Sequence, residues 1–174
     1  MSKTNWFIAG TLFRSSLSAV RGELQDSGLW CSSLSLVPVR QVPMGLAYGW
    51  QYYQGRGDIV IPHVSFVRWF DLARGVAVSL QDTLRHEYAH AFAQIQVGFL
   101  GCDDFVSAFG RPHDADIRDT YDEEFHVSPY AAENPSEDFA ETFMYYLKYR
   151  GKLPEQLDTV TIRKKWDFVS ALGE

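Results

Sequence analysis

Apolar residues recurring at steps of three and four mark residues 80–97 as the best-supported helix of the chain. Leu80, Leu84, Tyr88, Ala91 and Ile95 fall on one face that can enter a core. Ser79 offers a capping side chain, Asp82 a box partner three residues on, and Gly98 a stop. A second helix is predicted after Asn134, with Asn134 as cap, Pro135 in the first position and Glu137 in the third. Phe139, Phe143, Tyr146 and Leu147 then form a buried stripe that ends near Gly151. A final helix over about 159–172 groups Ile162, Trp166 and Val169, and a weaker candidate covers 65–77.

The β signal is shorter. Residues 29–43 read as strand, with Leu34, Leu36 and Pro38 alternating against Ser35, Val37 and Val39; Pro38 and Pro43 suggest an edge or a break. Residues 45–53 are rich in aromatics and fit neither period. Residues 55–58 read as a turn, and 58–61 as a short strand closed by Pro62. Residues 99–128 show no clean period and read as a long surface excursion. The expectation is an α+β fold: one domain over 1–174 with a small sheet and three or four helices.

The 174 residues leave room for one ordinary core, and 46% hydrophobic with 15% aromatic content excludes a disordered chain. Sixteen basic against 22 acidic residues give a net charge of −6, the wrong balance for a protein that binds nucleic acid through its phosphates. No apolar stretch is long enough to span a bilayer. Arg14 interrupts the apolar run at the start and no cleavage region follows, which predicts a cytoplasmic chain. Cys31 and Cys102 form neither a disulfide framework nor a metal knuckle.

The chemistry-bearing feature is His86-Glu87-Tyr88-Ala89-His90, an HExxH pattern on the strongest predicted helix. Positions 86 and 90 lie one turn apart, so both imidazoles can reach one ion, while Glu87 projects about 100° round the helix towards a water. Neutral imidazoles hold Zn²⁺, the metal activates water, and a neighbouring carboxylate takes the proton. Catalytic zinc needs a third protein ligand. Glu137 and Glu141, four apart on the second helix, lead a field that includes Asp138, Glu133, His113, His126 and the acidic run 114–124. Glu137 could instead close a capping box on Asn134.

Residues 85–90 followed by Val127-Ser128-Pro129-Tyr130 and the run to Phe143 resemble zinc peptidases in which a glutamate on a later helix completes the HExxH site. The closest patterns are the catalytic domain of anthrax lethal factor and a bacterial group of zinc-binding metallopeptidases. The shared positions are Ser128, Tyr130, Ala131, Pro135, Glu137, Asp138, Ala140 and Glu141. The resemblance spans about 80–150 and implies a zincin-like fold, with an HExxH helix and a second ligand-bearing helix packed on a small sheet. It implies one zinc per chain bound by His86, His90 and Glu137, with Glu87 as general base. Tyr130 would assist at the substrate carbonyl, and Glu141 would orient a histidine ligand. The cysteine-rich start of the bacterial group and the companion domains of lethal factor have no counterpart here.

The expected activity is zinc-dependent hydrolysis of a peptide or protein substrate. A zinc amidase, a small-molecule hydrolase or a non-catalytic zinc-stabilised binding module are the competing readings. Residues 58–61 are a candidate edge strand for substrate with 47–53 as its neighbour, and 114–124 lacks the spaced ligands and glycine of a calcium loop.

Overall fold

The computed structural model describes residues 7–45, 49–53, 55–65, 79–96 and 102–173. In chain order the elements are α1 (Gly10–Asp26), α2 (Ser32–Ser35), β1 (Val39–Gly45), β2 (Gly49–Tyr53), β3 (Arg56–Ser65), α3 (Leu80–Ile95), α4 (Asp103–Phe109), α5 (Pro135–Lys148) and α6 (Val160–Ala171). A 3₁₀ turn at Tyr130–Ala132 leads into α5. The fold is α+β, with α3 packed between α1, the sheet and α5. The predicted helix over 65–77 and the Gly98 stop lie outside the described residues, apart from Ser65, which ends β3.

The sheet has the order β1-β3-β2, with β1 parallel and β2 antiparallel to the central β3. Ile59, Val60 and Ile61 are buried in succession, as expected for a strand flanked on both sides. Pro62 does not close this strand. Pro62 pairs with Val42 of β1, and the strand runs on to Ser65 opposite Gly45. The predicted strand over 29–43 is corrected in its first half. A strand would place Leu34 and Leu36 on one face, but Leu34 is buried and Leu36 is 80% exposed. Residues 32–35 form a helical turn whose first amides are met by Cys31, its Sγ accepting from Leu34 N. Only from Val39 does the chain enter the sheet.

Two helices were not anticipated. α1 buries Phe13, Ser16, Val20 and Leu24, a helical stripe with a serine inside it and no side-chain cap. α4 falls within the predicted surface excursion, yet Phe105 and Phe109 are buried from it, stacked on each other and edge-on to Phe168. The three predicted helices form, the first two with their predicted caps Ser79 and Asn134, the third with a cap at Thr159. Ser79 Oγ accepts from Asp82 N, Asn134 Oδ1 from Glu137 N, and Thr159 Oγ1 from Ile162 N. The Asp82 carboxylate does not close a box. It accepts instead from Arg85 at 2.5 Å and Lys148 at 3.0 Å.

α3 is buried nearly all round, so it needs polar partners as well as apolar ones. Arg85 is 6% exposed and donates two parallel bonds of 2.7 Å to Glu23 of α1. Such a bidentate pair fixes orientation strongly, and losing one partner would leave a buried charge. Arg21 Nε donates to the buried Tyr88 hydroxyl at 3.0 Å. On the other flank Phe92 meets Phe143 of α5, with ring centres 5.7 Å apart. These contacts set the rotation of α3 and the height of α5 beside it.

Candidate metal centre

α5 packs over His86 and β2 over Glu87, leaving them only 9% and 7% exposed. The turn of helix between positions 86 and 90 brings the two Nε2 atoms to 3.0 Å. Glu137 Oε2 lies 3.1 Å from Nε2 of His86 and 3.3 Å from Nε2 of His90. Among the described residues this is the set of histidine and acidic side chains grouped tightly enough to hold an ion.

The donor chemistry of this triad fits a cation. Glu141 Oε1 lies 2.8 Å from His86 Nδ1 and accepts its N–H, which in the neutral ring leaves the Nε2 lone pair facing His90 and Glu137. Glu137 Oε2 is buried without an aligned hydrogen-bond donor, despite both rings lying so near. Three lone-pair atoms at 3.0 to 3.3 Å repel unless positive charge sits among them. A tetrahedral zinc with bonds of 2.0–2.1 Å keeps its ligand atoms about 3.3 Å apart. Without an ion, a proton supplies that charge: burial would lower the His86 ring, but its bonds to Glu137 and Glu141 prevail and raise it to about 10, so zinc would bind here by displacing that proton. Burial would raise Glu137, but the two histidines bring it down to about 2.

The choice between Glu137 and Glu141 is resolved by their partners. Both oxygens of Glu141 are in use, one at His86 and the other accepting from Ser128 Oγ at 2.6 Å. Glu137 does not have to choose between cap and ion: its backbone N–H goes to Asn134, and its side chain is left for the histidines. Ser136 Oγ lies 3.4 Å from His90 Nδ1, a weaker counterpart of the Glu141 contact.

Glu87 is held from the other side. Its Oε2 accepts from the Trp50 backbone N–H at 2.6 Å, so β2 lies against α3 at the site. Gly49 adopts φ +154, and a Cβ there would stand 3.3 Å from the same carboxylate oxygen. β2, an edge of the sheet, thus takes the place expected for residues 58–61, which lie in the central strand. Tyr130 stands over His86 with ring centres 5.6 Å apart and is half exposed. Burial first, then the carboxylates of Glu137, Glu87, Glu141 and Glu133, push its phenol pKa up, so it stays a proton donor.

The other candidates stand apart from the triad. Asp138 turns to Lys165 at 2.6 Å, and Glu133 pairs with Arg118. His113 packs edge-on against Phe105 and Phe139, and His126 near Tyr121. His63 bonds Ile8 O and stacks on Phe7, a local role. Ser128 and the Gly49–Trp50 backbone were not anticipated as parts of the site. Ser128 lies in the shared Ser-x-Tyr pattern, whereas nothing in the local sequence ties residue 50 to residue 87. Comparison with protein-family models, with curated proteins and with solved structures finds no match to this chain.

Proposed function

We propose that the chain is a zinc-dependent peptidase, most simply an endopeptidase, in which His86, His90 and Glu137 hold one ion. The observation that carries this reading is the convergence of two imidazole Nε2 atoms and a carboxylate oxygen at 3.0 to 3.3 Å, beside a separate buried carboxylate, Glu87. A purely structural metal site has no use for that extra carboxylate. Bound zinc would supply Lewis acidity, activating water and polarising the scissile carbonyl.

The remaining steps belong to the chain. Glu87 takes the proton of the attacking water and returns it to the leaving nitrogen. The Trp50 amide fixes the carboxylate that makes both transfers. Tyr130 donates its hydroxyl to the oxygen on which negative charge develops. Glu141, anchored by Ser128, keeps the His86 ring turned with Nε2 inward.

The test is metal content per chain, measured on tag-free wild type and on Glu137→Ala, followed by a peptide-library digest with Glu87→Gln as control. About one zinc in wild type, a sharp loss in Glu137→Ala and hydrolysis absent from Glu87→Gln are expected. Wild type that takes up no zinc after reconstitution refutes the metal site. Zinc without turnover on any peptide would refute the peptidase and leave an amidase, a small-molecule hydrolase or a binding module.

A further inference from the structure

β1 and β2 are the two edges of the sheet, and they are built differently. β1 carries Arg40 and Pro43, residue types that keep a foreign strand from pairing. β2 reads Gly-Trp-Gln-Tyr-Tyr, with neither charge nor proline. Ile59, the partner of Trp50, spends its N–H on Pro38 O at the β1 side, so the main-chain groups of Trp50 and Ile59 point away from each other. The outward N–H of Trp50 is the one that Glu87 accepts. Tyr52, two residues on, turns its N–H and C=O to the same side, where the sheet has no further strand among the described residues.

The side chains of Trp50 and Tyr52 share one face of this edge. Their rings stack 6.2 Å apart at an angle of 25°. Beneath them β3 offers Gly57, and a Cβ there would fall inside the Trp50 indole, so that ring is bedded directly on backbone. Trp50 is partly buried and Tyr52 half exposed. The β3 residues on this face are Gly57, Ile59 and Ile61, none of them charged. Arg56 and Asp58 belong to the other face, where Asp58 pairs with Arg40. An uncharged aromatic shelf therefore starts beside the Glu87 carboxylate and runs outwards along an open strand edge. Resting on the peptidase reading above, we infer that Trp50 and Tyr52 select the substrate. The peptide lies along β2 as an added strand and seats a large uncharged side chain, aromatic or aliphatic, on the two rings.

The test is isothermal titration of the Glu87→Gln chain with a capped heptapeptide alternating serine and phenylalanine. Three analogues carry leucine, lysine or glutamate in the phenylalanine positions. The phenylalanine and leucine peptides should bind with a Kd below about 1 mM, and the lysine and glutamate peptides about tenfold or more weaker. Adding Tyr52→Ala should weaken the phenylalanine peptide by about threefold to tenfold, and adding Tyr52→Phe by less than about twofold. Gly57→Ala, which displaces the indole, should weaken it by about threefold or more. In a peptide-library digest, wild type should cleave beside large uncharged residues, and Tyr52→Ala should lose that preference at unchanged zinc content. Binding that obeys this pattern without cleavage by wild type would refute the peptidase and uphold the shelf. Cleavage that accepts charged residues equally, or whose profile Tyr52→Ala leaves unaltered, would overturn the shelf and uphold the peptidase. Failure of all four peptides to bind up to about 5 mM would also overturn it. So would sedimentation as a dimer that Tyr52→Lys dissociates, because the edge would then belong to a second copy of the chain.

Discussion

Replacing Glu141 separates a ligand from the residue that aims a ligand. Glu141 is buried, with one oxygen 2.8 Å from His86 Nδ1 and the other 2.6 Å from Ser128 Oγ. Gln at this position keeps an acceptor for the ring and a polar contact for Ser128, but it removes the charge that makes the ring a stronger donor of its Nε2 lone pair. Ala removes both bonds, frees the His86 ring to turn, and strips Ser128 of the partner it holds while its Oγ accepts from Ala131 N. Outer partners of metal-bound histidines are worth about 10- to 100-fold in affinity, equivalent to about 1.4–2.7 kcal/mol. Glu141→Gln is therefore expected near the lower figure and Glu141→Ala near the upper. Competition against a chromophoric chelator at neutral pH measures both, and urea unfolding of the metal-free proteins gives the separate cost of the lost bonds. For Ala that cost should be about 1–3 kcal/mol. A Gln variant within about twofold of wild type in zinc affinity would refute the aiming role. An Ala variant devoid of zinc, beside a Glu137→Ala that keeps it, would exchange the two glutamates.

Three other outcomes follow from the same geometry. Gly49→Ala forces an L-residue to φ +154 and places its Cβ 3.3 Å from Glu87, so peptide hydrolysis should fall by about tenfold or more at unchanged zinc content; a wild-type rate would remove the β2 amide from the mechanism. Tyr130→Phe should lower kcat by about 10- to 100-fold with KM and zinc unchanged, and a change confined to KM would make Tyr130 a substrate contact only. His113 is held down to about 4, first by burial and then by His90, with Asp114 and Glu137 only partly opposing. A histidine lowered below its unfolded value stabilises the fold above about 6.5 and loses that contribution as pH falls towards 4. Denaturation curves of wild type and His113→Phe should therefore diverge on acidification through that window, and parallel curves would clear His113 of acid sensitivity.

Much of the site was legible because it depends on short-range geometry. Histidines four apart on a helix must share a face, and so must Glu137 and Glu141. The cap at Asn134 is written in Asn134, Pro135 and Glu137. What could not be read was long-range: the choice between Glu137 and Glu141 turned on Ser128, which occupies the second oxygen of Glu141. The burial of His86 depended on α5, and that of Glu87 on β2. α1 escaped notice because Ser16 breaks its apolar stripe and no side chain caps its start. α2 was misread because one turn of helix and a strand both accept the alternation around Leu34, and the exposure of Leu36 decides between them. β3 continued through Pro62 because its pairing with β1 runs on from Val42 to Gly45, a long-range contact that residues 58–65 do not announce.

The arrangement divides labour between helices and sheet. The triad comes from α3 and α5 alone, two helices locked by buried aromatic contacts such as Phe92 with Phe143, and by the cap at Asn134 that sets the first turn of α5. Successive positions on that turn face different ways: Glu137 and Glu141 towards α3, Asp138 towards Lys165 of α6, and Phe139 into the core. A small rotation of α5 would therefore displace Glu137 and strain the buried Asp138–Lys165 pair together, so the fold resists it from both sides. Glu87 shares a helix with two members of the triad, yet its carboxylate is steered by the Trp50 amide of β2. Rigid elements hold such constellations better than loops do, and here two different rigid elements hold the triad and the Glu87 carboxylate. Damage to α5 should cost the metal, whereas damage to β2 should cost the proton transfer and spare the metal.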